Sequence, residues 1–289
     1  MPHMTIVEHS FEFVDTYIPE YFETGATDPL YIFVSGPQGS GKTYTSRLLY
    51  DHLVEKYKGE RKVALTSIDD FYLTHDDQLK LSKTFSKNKL LQGRGLPGTH
   101  DMNVLNDVLN AVNQKRGNNR EENKLLLPQY DKSKFDGEGD RCATRLELDV
   151  PIDIIILEGW FIGFEAVLQG KDNDDLLKGD MVDVNAKLFM YGDLMWKNPE
   201  INSLGIVLCA DTIQNVYTWR TQQEHDLISK TGKGMTDEEV KSFVDRYFPC
   251  YQLYYENLVR GEKLGSIATL TLGIDIERKV YSSKVRCIE

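Results

Sequence analysis

Cysteine is scarce in this chain and scattered: Cys142, Cys209, Cys250 and Cys287 include no Cys-x-x-Cys pair. That spacing suggests neither a zinc site nor a disulfide framework, and it fits reduced cytosolic thiols. Long apolar runs are missing too. A run such as Ile154 to Leu157 falls far short of the roughly 20 residues that cross a bilayer. The opening Met-Pro-His-Met-Thr-Ile-Val-Glu-His lacks the basic stretch and apolar run of a secretory signal. Basic residues are outnumbered, 34 Lys plus Arg against 45 Asp plus Glu, for a net charge of −11. This argues against a broad nucleic-acid surface and leaves room for a local basic pocket around a phosphorylated ligand. No internal repeat or low-complexity tract occurs. The expected setting is the cytoplasm, with the nucleus also open, and neither membrane insertion nor a nucleic-acid partner is expected.

What remains is ordinary globular chemistry: 289 residues, 40% hydrophobic and 27% charged, enough to bury a core without disulfides. One domain over 1–289 is expected, with its core from about residue 28 and an N-terminal extension over 1–27. Leu30 to Val34 is a short apolar run bounded by Pro29 and Gly36, the pattern of a buried parallel strand. Leu49, Leu53 and Tyr57 then recur at helical spacing, and Gly59 stops the helix. Further strands are expected at Lys62 to Ile68, Ile152 to Leu157, Leu204 to Cys209 and Ala268 to Leu272. Helices are expected after Asp101, a plausible N-cap, and from about Thr212. Strand and helix alternate, which predicts an α/β fold with a mostly parallel sheet.

The sharpest signal is Gly36-Pro37-Gln38-Gly39-Ser40-Gly41-Lys42-Thr43, a full match to G-x-x-x-x-G-K-[ST] between a strand and a helix. The glycines let backbone N–H groups turn inward around a phosphate, and the helix start adds its positive end. Lys42 reaches the β- and γ-phosphates, and the Thr43 hydroxyl suits Mg²⁺. A guanine-reading Asn-Lys-x-Asp is absent; Asn88-Lys89-Leu90-Leu91 lacks the Asp, so ATP is favoured over GTP.

Ligands of open α/β sheets bind at the carboxyl ends of strands, and acids stand at two such ends. Asp69 and Asp70 close the second strand, and Glu158 closes the third. Phosphoryl transfer needs an orienting group or base at the attacking hydroxyl and an acid near the metal. Asp69 takes the first role and Glu158 the second, with Thr43 and Glu158 as the metal residues; Asp70 could exchange with Asp69. The alternative for each is a solvated carboxylate capping a strand.

These residues resemble the P-loop kinases that include uridine kinase, phosphoribulokinase and bacterial pantothenate kinase. The closer resemblance is to D-glycerate 3-kinase. It rests on Ser67-Ile68-Asp69-Asp70-Phe71-Tyr72-Leu73-Thr74, Arg94-Gly95-Leu96-Pro97-Gly98-Thr99-His100-Asp101 and Tyr130-Asp131-Lys132-Ser133. Gly139-Asp140-Arg141, Leu157-Glu158-Gly159-Trp160, Trp219-Arg220-x-x-x-Glu224 and Gly234-Met235-Thr236-Asp237-Glu238-Glu239-Val240 follow in order, with Phe243-Val244 and Arg246-Tyr247 beyond. The chain most resembles the fungal branch, described as probable ATP-dependent kinases whose acceptor is not assigned. The resemblance implies a three-layer P-loop NTPase/kinase core with a helical lid. Inserted polar stretches around Lys171 to Asp180 and Asn113 to Lys124 depart from the plant glycerate kinases.

Arg94, His100 and Asp101 lie in a Gly- and Pro-rich loop, where binding residues commonly sit above a rigid sheet. The alternative is a structured turn with a surface Arg. The resemblance makes Tyr130, Lys132 and Arg141 substrate-side candidates. A lid over about 220–248 must bring cations over the charge of a transferring phosphoryl group. Arg220 is the candidate, with Lys230 and Lys233 nearby. Thr236 and Glu239 form a capping box for the next helix. Arg246 is a candidate clamp for an acidic substrate through its planar fork, or a surface ion pair. Tyr251, Tyr254 and Tyr255 read as packing. The expected function is an ATP- and Mg²⁺-dependent kinase acting on a hydroxyl of a small metabolite, with a glycerate-like hydroxy acid the leading acceptor by resemblance. A nucleoside or pantothenate-type acceptor, or an ATP-binding regulatory protein with little turnover, stands as the alternative. Oligomeric state is not legible.

Overall fold

The computed structural model describes residues 4–113, 124–168 and 176–288. In chain order the first half carries α1 (Ile6–Glu23), β1 (Leu30–Ser35), α2 (Lys42–Lys56), β2 (Val63–Ser67), α3 (His75–Thr84), α4 (Met102–Asn113) and β3 (Lys124–Leu127). Short strands β4 (Tyr130–Asp131), β5 (Asp140–Arg141) and β6 (Leu146–Asp149) follow, then β7 (Ile154–Gly159). The second half carries α5 (Asp180–Leu194), β8 (Asn202–Ala210), α6 (Asn215–Thr231), α7 (Asp237–Cys250), α8 (Glu256–Gly261), β9 (Ala268–Ile274) and β10 (Val280–Cys287).

The main sheet runs β10-β9-β8-β1-β7-β2. All neighbouring pairs are parallel except β9 with β10. The five expected strands are the five parallel ones. Their continuous apolar runs follow from burial on both faces. In β1, Tyr31 and Phe33 enter one core while Leu30, Ile32 and Val34 enter the other, as the two-residue period of a strand requires. α4, α5 and α7 cover the first face, and α1, α2 and Trp219 of α6 cover the second. Residues 1–27, expected as an extension ahead of the core, carry α1. Its Phe13, Val14 and Ile18 are buried in that second core, and a Thr5/Glu8 capping box starts it. The edge strand β10 escaped the sequence reading because it is almost wholly exposed. Its Lys284 and Arg286 are the charges that keep an edge from pairing with other chains.

Asp101 caps α4, its Oδ1 accepting the Val104 N–H at 3.2 Å. The Thr236/Glu239 capping box opens α7. Of the two polar insertions noted in the sequence, residues 114–123 of the first and 171–175 of the second lie outside the described residues. The register gathers the chemistry at one edge. Val34, Glu158 and Ser67 stand level on β1, β7 and β2, so the phosphate loop, the β7 acid and the Asp69–Asp70 turn leave the sheet side by side.

Candidate active site

The loop after β1 has the shape its glycines demand. Gly39 and Gly41 take φ +79° and +98°, which a side chain would oppose. A Cβ on Gly39 would lie 2.4 Å from Trp219 Cβ. Gly41 is the N-cap of α2, and no side chain caps that helix, so its first amides stay open to an anion. Lys42 and Thr43 are its first two residues. Around the loop several buried polar atoms have no partner among the described residues: Gln38 Oε1, Ser40 Oγ and Glu158 Oε2. Buried polar groups are normally satisfied, so this cluster fits a polar ligand. Pro37 completes the loop, its carbonyl accepting the Ser40 N–H. Gly36 is held tight, a Cβ there meeting Ser40 Oγ at 2.7 Å.

Glu158 is 5% exposed. Its Oε1 accepts the Thr43 hydroxyl at 3.1 Å, while Oε2 is free. A hydroxyl and a carboxylate oxygen facing one another beside a phosphate loop are hard oxygen donors, the set that fits Mg²⁺.

The two neighbouring aspartates separate cleanly. Asp70 turns back into the fold: Oδ2 accepts the Ser67 N–H at 3.3 Å and Oδ1 the Tyr130 N–H at 3.2 Å. Burial raises its carboxyl above the ordinary value. Asp69 faces the other way, accepting from the Tyr72 hydroxyl at 2.9 Å and from Lys132 Nζ at 2.6 Å. Burial would raise it, but the Lys132 charge and these two hydrogen bonds outweigh that and bring it down to about 2. Asp69 is therefore an ionised acceptor at every physiological pH and a weak base.

The Gly- and Pro-rich loop is less open than its sequence suggests. Arg94 Nη1 donates to the Gly137 carbonyl at 2.6 Å and to that of Glu138, pinning the β4–β5 ribbon over the Asp69 turn. Tyr130 stands edge-on to Tyr72, ring centres 5.3 Å apart. His100 is 3% exposed, stacked on Tyr72, with Nδ1 2.9 Å from the Tyr191 hydroxyl. Burial lowers it to about 3, so it is neutral in the working range. Asp101 and Arg141 pair at 2.9 Å, and Arg141 also donates to the Tyr72 carbonyl. That pair acts as a brace for the loop.

Of the lid candidates, Arg220 is engaged: it pairs with buried Glu224 at 2.8 Å and lies over the Phe243 ring. Glu224 also accepts the Met235 N–H, so the pair ties the α6–α7 turn together. Arg246 Nη2 donates to the Arg94 carbonyl at 2.6 Å, joining α7 to the Gly- and Pro-rich loop. Lys230 and Lys233 are exposed around Gly232, which ends α6 with φ +72°.

No family model matches the chain. A curated relative, the "Probable ATP-dependent kinase TDA10" of Saccharomyces cerevisiae, is 63% identical over 285 residues, covering 99% of this chain and 98% of its own. The solved D-glycerate 3-kinase of Cryptococcus neoformans superposes with a TM-score of 0.83 at 32% identity, covering 98% of this chain and 100% of that one. The chain belongs to the D-glycerate 3-kinase-like family of P-loop kinases. In this kinase family the chloroplastic D-glycerate 3-kinase of Arabidopsis thaliana is 36% identical over 253 residues, 87% of this chain and 53% of that protein. The chain is thus a small-metabolite kinase of α/β fold that uses ATP. Among the described residues no helix is long and apolar enough to cross a membrane.

Three features of this kinase's site went unread in the sequence. The Asp69–Lys132 pair joins residues far apart in the chain. Tyr72 reaches Asp69 only because residues 68–71 form a 3-10 turn. Tyr251, read as packing, is 2% exposed, yet its hydroxyl accepts the Gln38 N–H at 3.1 Å. For Lys132 a signal existed: a basic residue in the Tyr130-Asp131-Lys132-Ser133 segment that carries the family resemblance.

Proposed function

We propose that the protein transfers the γ-phosphoryl group of Mg·ATP to an alcohol hydroxyl of a small carboxylate-bearing metabolite, a glycerate-like hydroxy acid. One observation carries the reading. The ionised Asp69, held by Lys132, stands at the same sheet edge as the Thr43–Glu158 pair, so an acceptor hydroxyl and a polyphosphate can be held face to face. The loop amides and Lys42 hold the triphosphate. Thr43 and Glu158 are the residues that would hold Mg²⁺, which when bound neutralises charge on the β- and γ-oxygens. Asp69 accepts a hydrogen bond from the acceptor hydroxyl and aims it; a loose transition state asks for orientation more than for basicity. Lys132 and Arg94 supply positive charge beside that hydroxyl in a protein that is otherwise acidic, which favours an anionic acceptor. Lys230 and Lys233 close over the transferred charge when residues 220–248 move in, and Arg220 joins them by exchanging its Glu224 partner for the phosphoryl oxygens. All 289 residues act as one catalytic domain in this reading.

The test is ADP release from Mg·ATP in the presence of hydroxy acids, D-glycerate first, with nucleosides and pantothenate as comparisons. Acceptor-dependent release with a hydroxy acid supports the proposal. Tight ATP binding with no acceptor-dependent release supports a regulatory binder and removes it. Release with a nucleoside alone keeps the chemistry and replaces the acceptor.

A further inference from the structure

Tyr251 opens a π-helical turn over Tyr251–Tyr255 at the end of α7, a widened turn of the kind that gathers at functional sites. The turn sends two hydroxyls to the carboxyl ends of neighbouring strands. Tyr255 is fully used: it accepts the Ala210 N–H at 2.8 Å and donates to the Leu208 carbonyl at 3.4 Å. Tyr251 is half used. Its oxygen accepts the Gln38 N–H, and its own proton has no acceptor among the described residues. A buried tyrosine hydroxyl normally finds one.

Its surroundings say where that acceptor would come from. Trp160, which follows Glu158 by two positions, stands edge-on to both Tyr251 and Tyr247, ring centres 5.2 Å apart in each case. The Trp160 Nε1–H donates to the Gly95 carbonyl of the Gly- and Pro-rich loop, on the acceptor side in the reading above, at 3.0 Å. Tyr251 therefore reaches the phosphate loop from the side of the β7 acid and the Gly- and Pro-rich loop. The polyphosphate end that faces this side for transfer is the γ-phosphoryl group.

We propose that Tyr251 is a further ligand of the γ-phosphoryl group, its hydroxyl relaying the Gln38 amide and donating a hydrogen bond to a non-bridging γ-oxygen. Burial pushes the phenol well above its ordinary value, so the proton stays on tyrosine and no transfer is involved. ADP has no oxygen to offer there, so Tyr251 discriminates triphosphate from diphosphate.

The inference rests on the ATP reading above, and the experiment separates the two. Binding of Mg·ADP and of the β,γ-imido analogue of Mg·ATP is measured by calorimetry, without acceptor, for the wild type, Tyr251→Phe and Tyr255→Phe. Tyr251→Phe keeps the ring and its packing. The expected result is affinity for the triphosphate analogue lowered about tenfold, with ADP within about twofold, as for a lost hydrogen bond to a charged group. Tyr255→Phe is expected to leave the ratio of the two affinities unchanged; any general loosening of the fold moves both nucleotides together and cancels in that ratio. An unchanged ratio in Tyr251→Phe, or an equal change in Tyr255→Phe, overturns the inference and leaves the kinase reading standing. A wild type that binds neither nucleotide overturns both.

Discussion

Replacing Lys132 by Met removes the charge that lowers the Asp69 carboxyl while keeping most of the side chain's length. The fall of the Asp69 carboxyl from 3.8 to about 2 corresponds to about 2 kcal/mol of preference for its charged form. Lys132 is 56% exposed at its side chain, so solvent screens part of this, and about 1–2 kcal/mol is the working figure. A depressed carboxyl contributes stability that is complete above its unfolded value and is lost as pH falls from about 4 towards 2. Without Lys132 the raising effect of burial, the largest single cause, meets only the weaker pull of the Tyr72 hydroxyl and His100, and the carboxyl moves up. Lys132→Met should therefore cost about 1–2 kcal/mol at pH 7 by urea unfolding, and the penalty should shrink towards pH 3. A carbon-detected titration of Asp69 should show its midpoint rising from about 2, and kcat/KM should gain an acid limb absent from the wild type. An equal penalty at pH 7 and pH 3, with an unmoved midpoint, would refute the electrostatic argument.

Lys42→Ala should weaken Mg·ATP binding or turnover at least about tenfold, read by calorimetry and ADP release; wild-type values would remove the loop lysine from the site. Asp69→Asn should leave ATP affinity within about twofold and lower kcat about a hundredfold or more. A normal kcat there would return the role to Asp70, against the two backbone amides that now occupy that side chain. Glu158→Gln should raise the Mg²⁺ concentration needed for half-maximal activity, and an unchanged requirement in a magnesium titration would count against the Thr43–Glu158 pair as metal residues. Gly39→Ala meets both a φ of +79° and Trp219 at 2.4 Å, and should cost about 1–3 kcal/mol of stability along with nucleotide affinity. A thermal melt and an ATP titration check it.

Local chemistry was legible wherever it is written in adjacent residues. The glycine-rich loop, the five buried strands and the caps of α4 and α7 each depend on short-range rules of sterics and hydrogen bonding, which act within a few positions. The exposed β10 had no apolar signature to read, since an edge strand is defined by the neighbour it pairs with. The acidic turn shows the boundary well. Asp69 and Asp70 are adjacent and chemically identical, so nothing in their sequence separates them. Their division of labour follows from what the fold brings alongside.

The amino-acid sequence alone determined that the chain folds as an α/β kinase with a polyphosphate loop and acids at the strand ends. Only the tertiary structure decided which partners those groups meet. It set Lys132 on Asp69, spent Arg220 on Glu224 and Arg141 on Asp101, and brought the Tyr251 hydroxyl to Gln38. The physical reason is range. Backbone geometry is settled by neighbours in the chain, whereas charge pairing and burial depend on groups that meet only after the sheet and its two helical layers have closed.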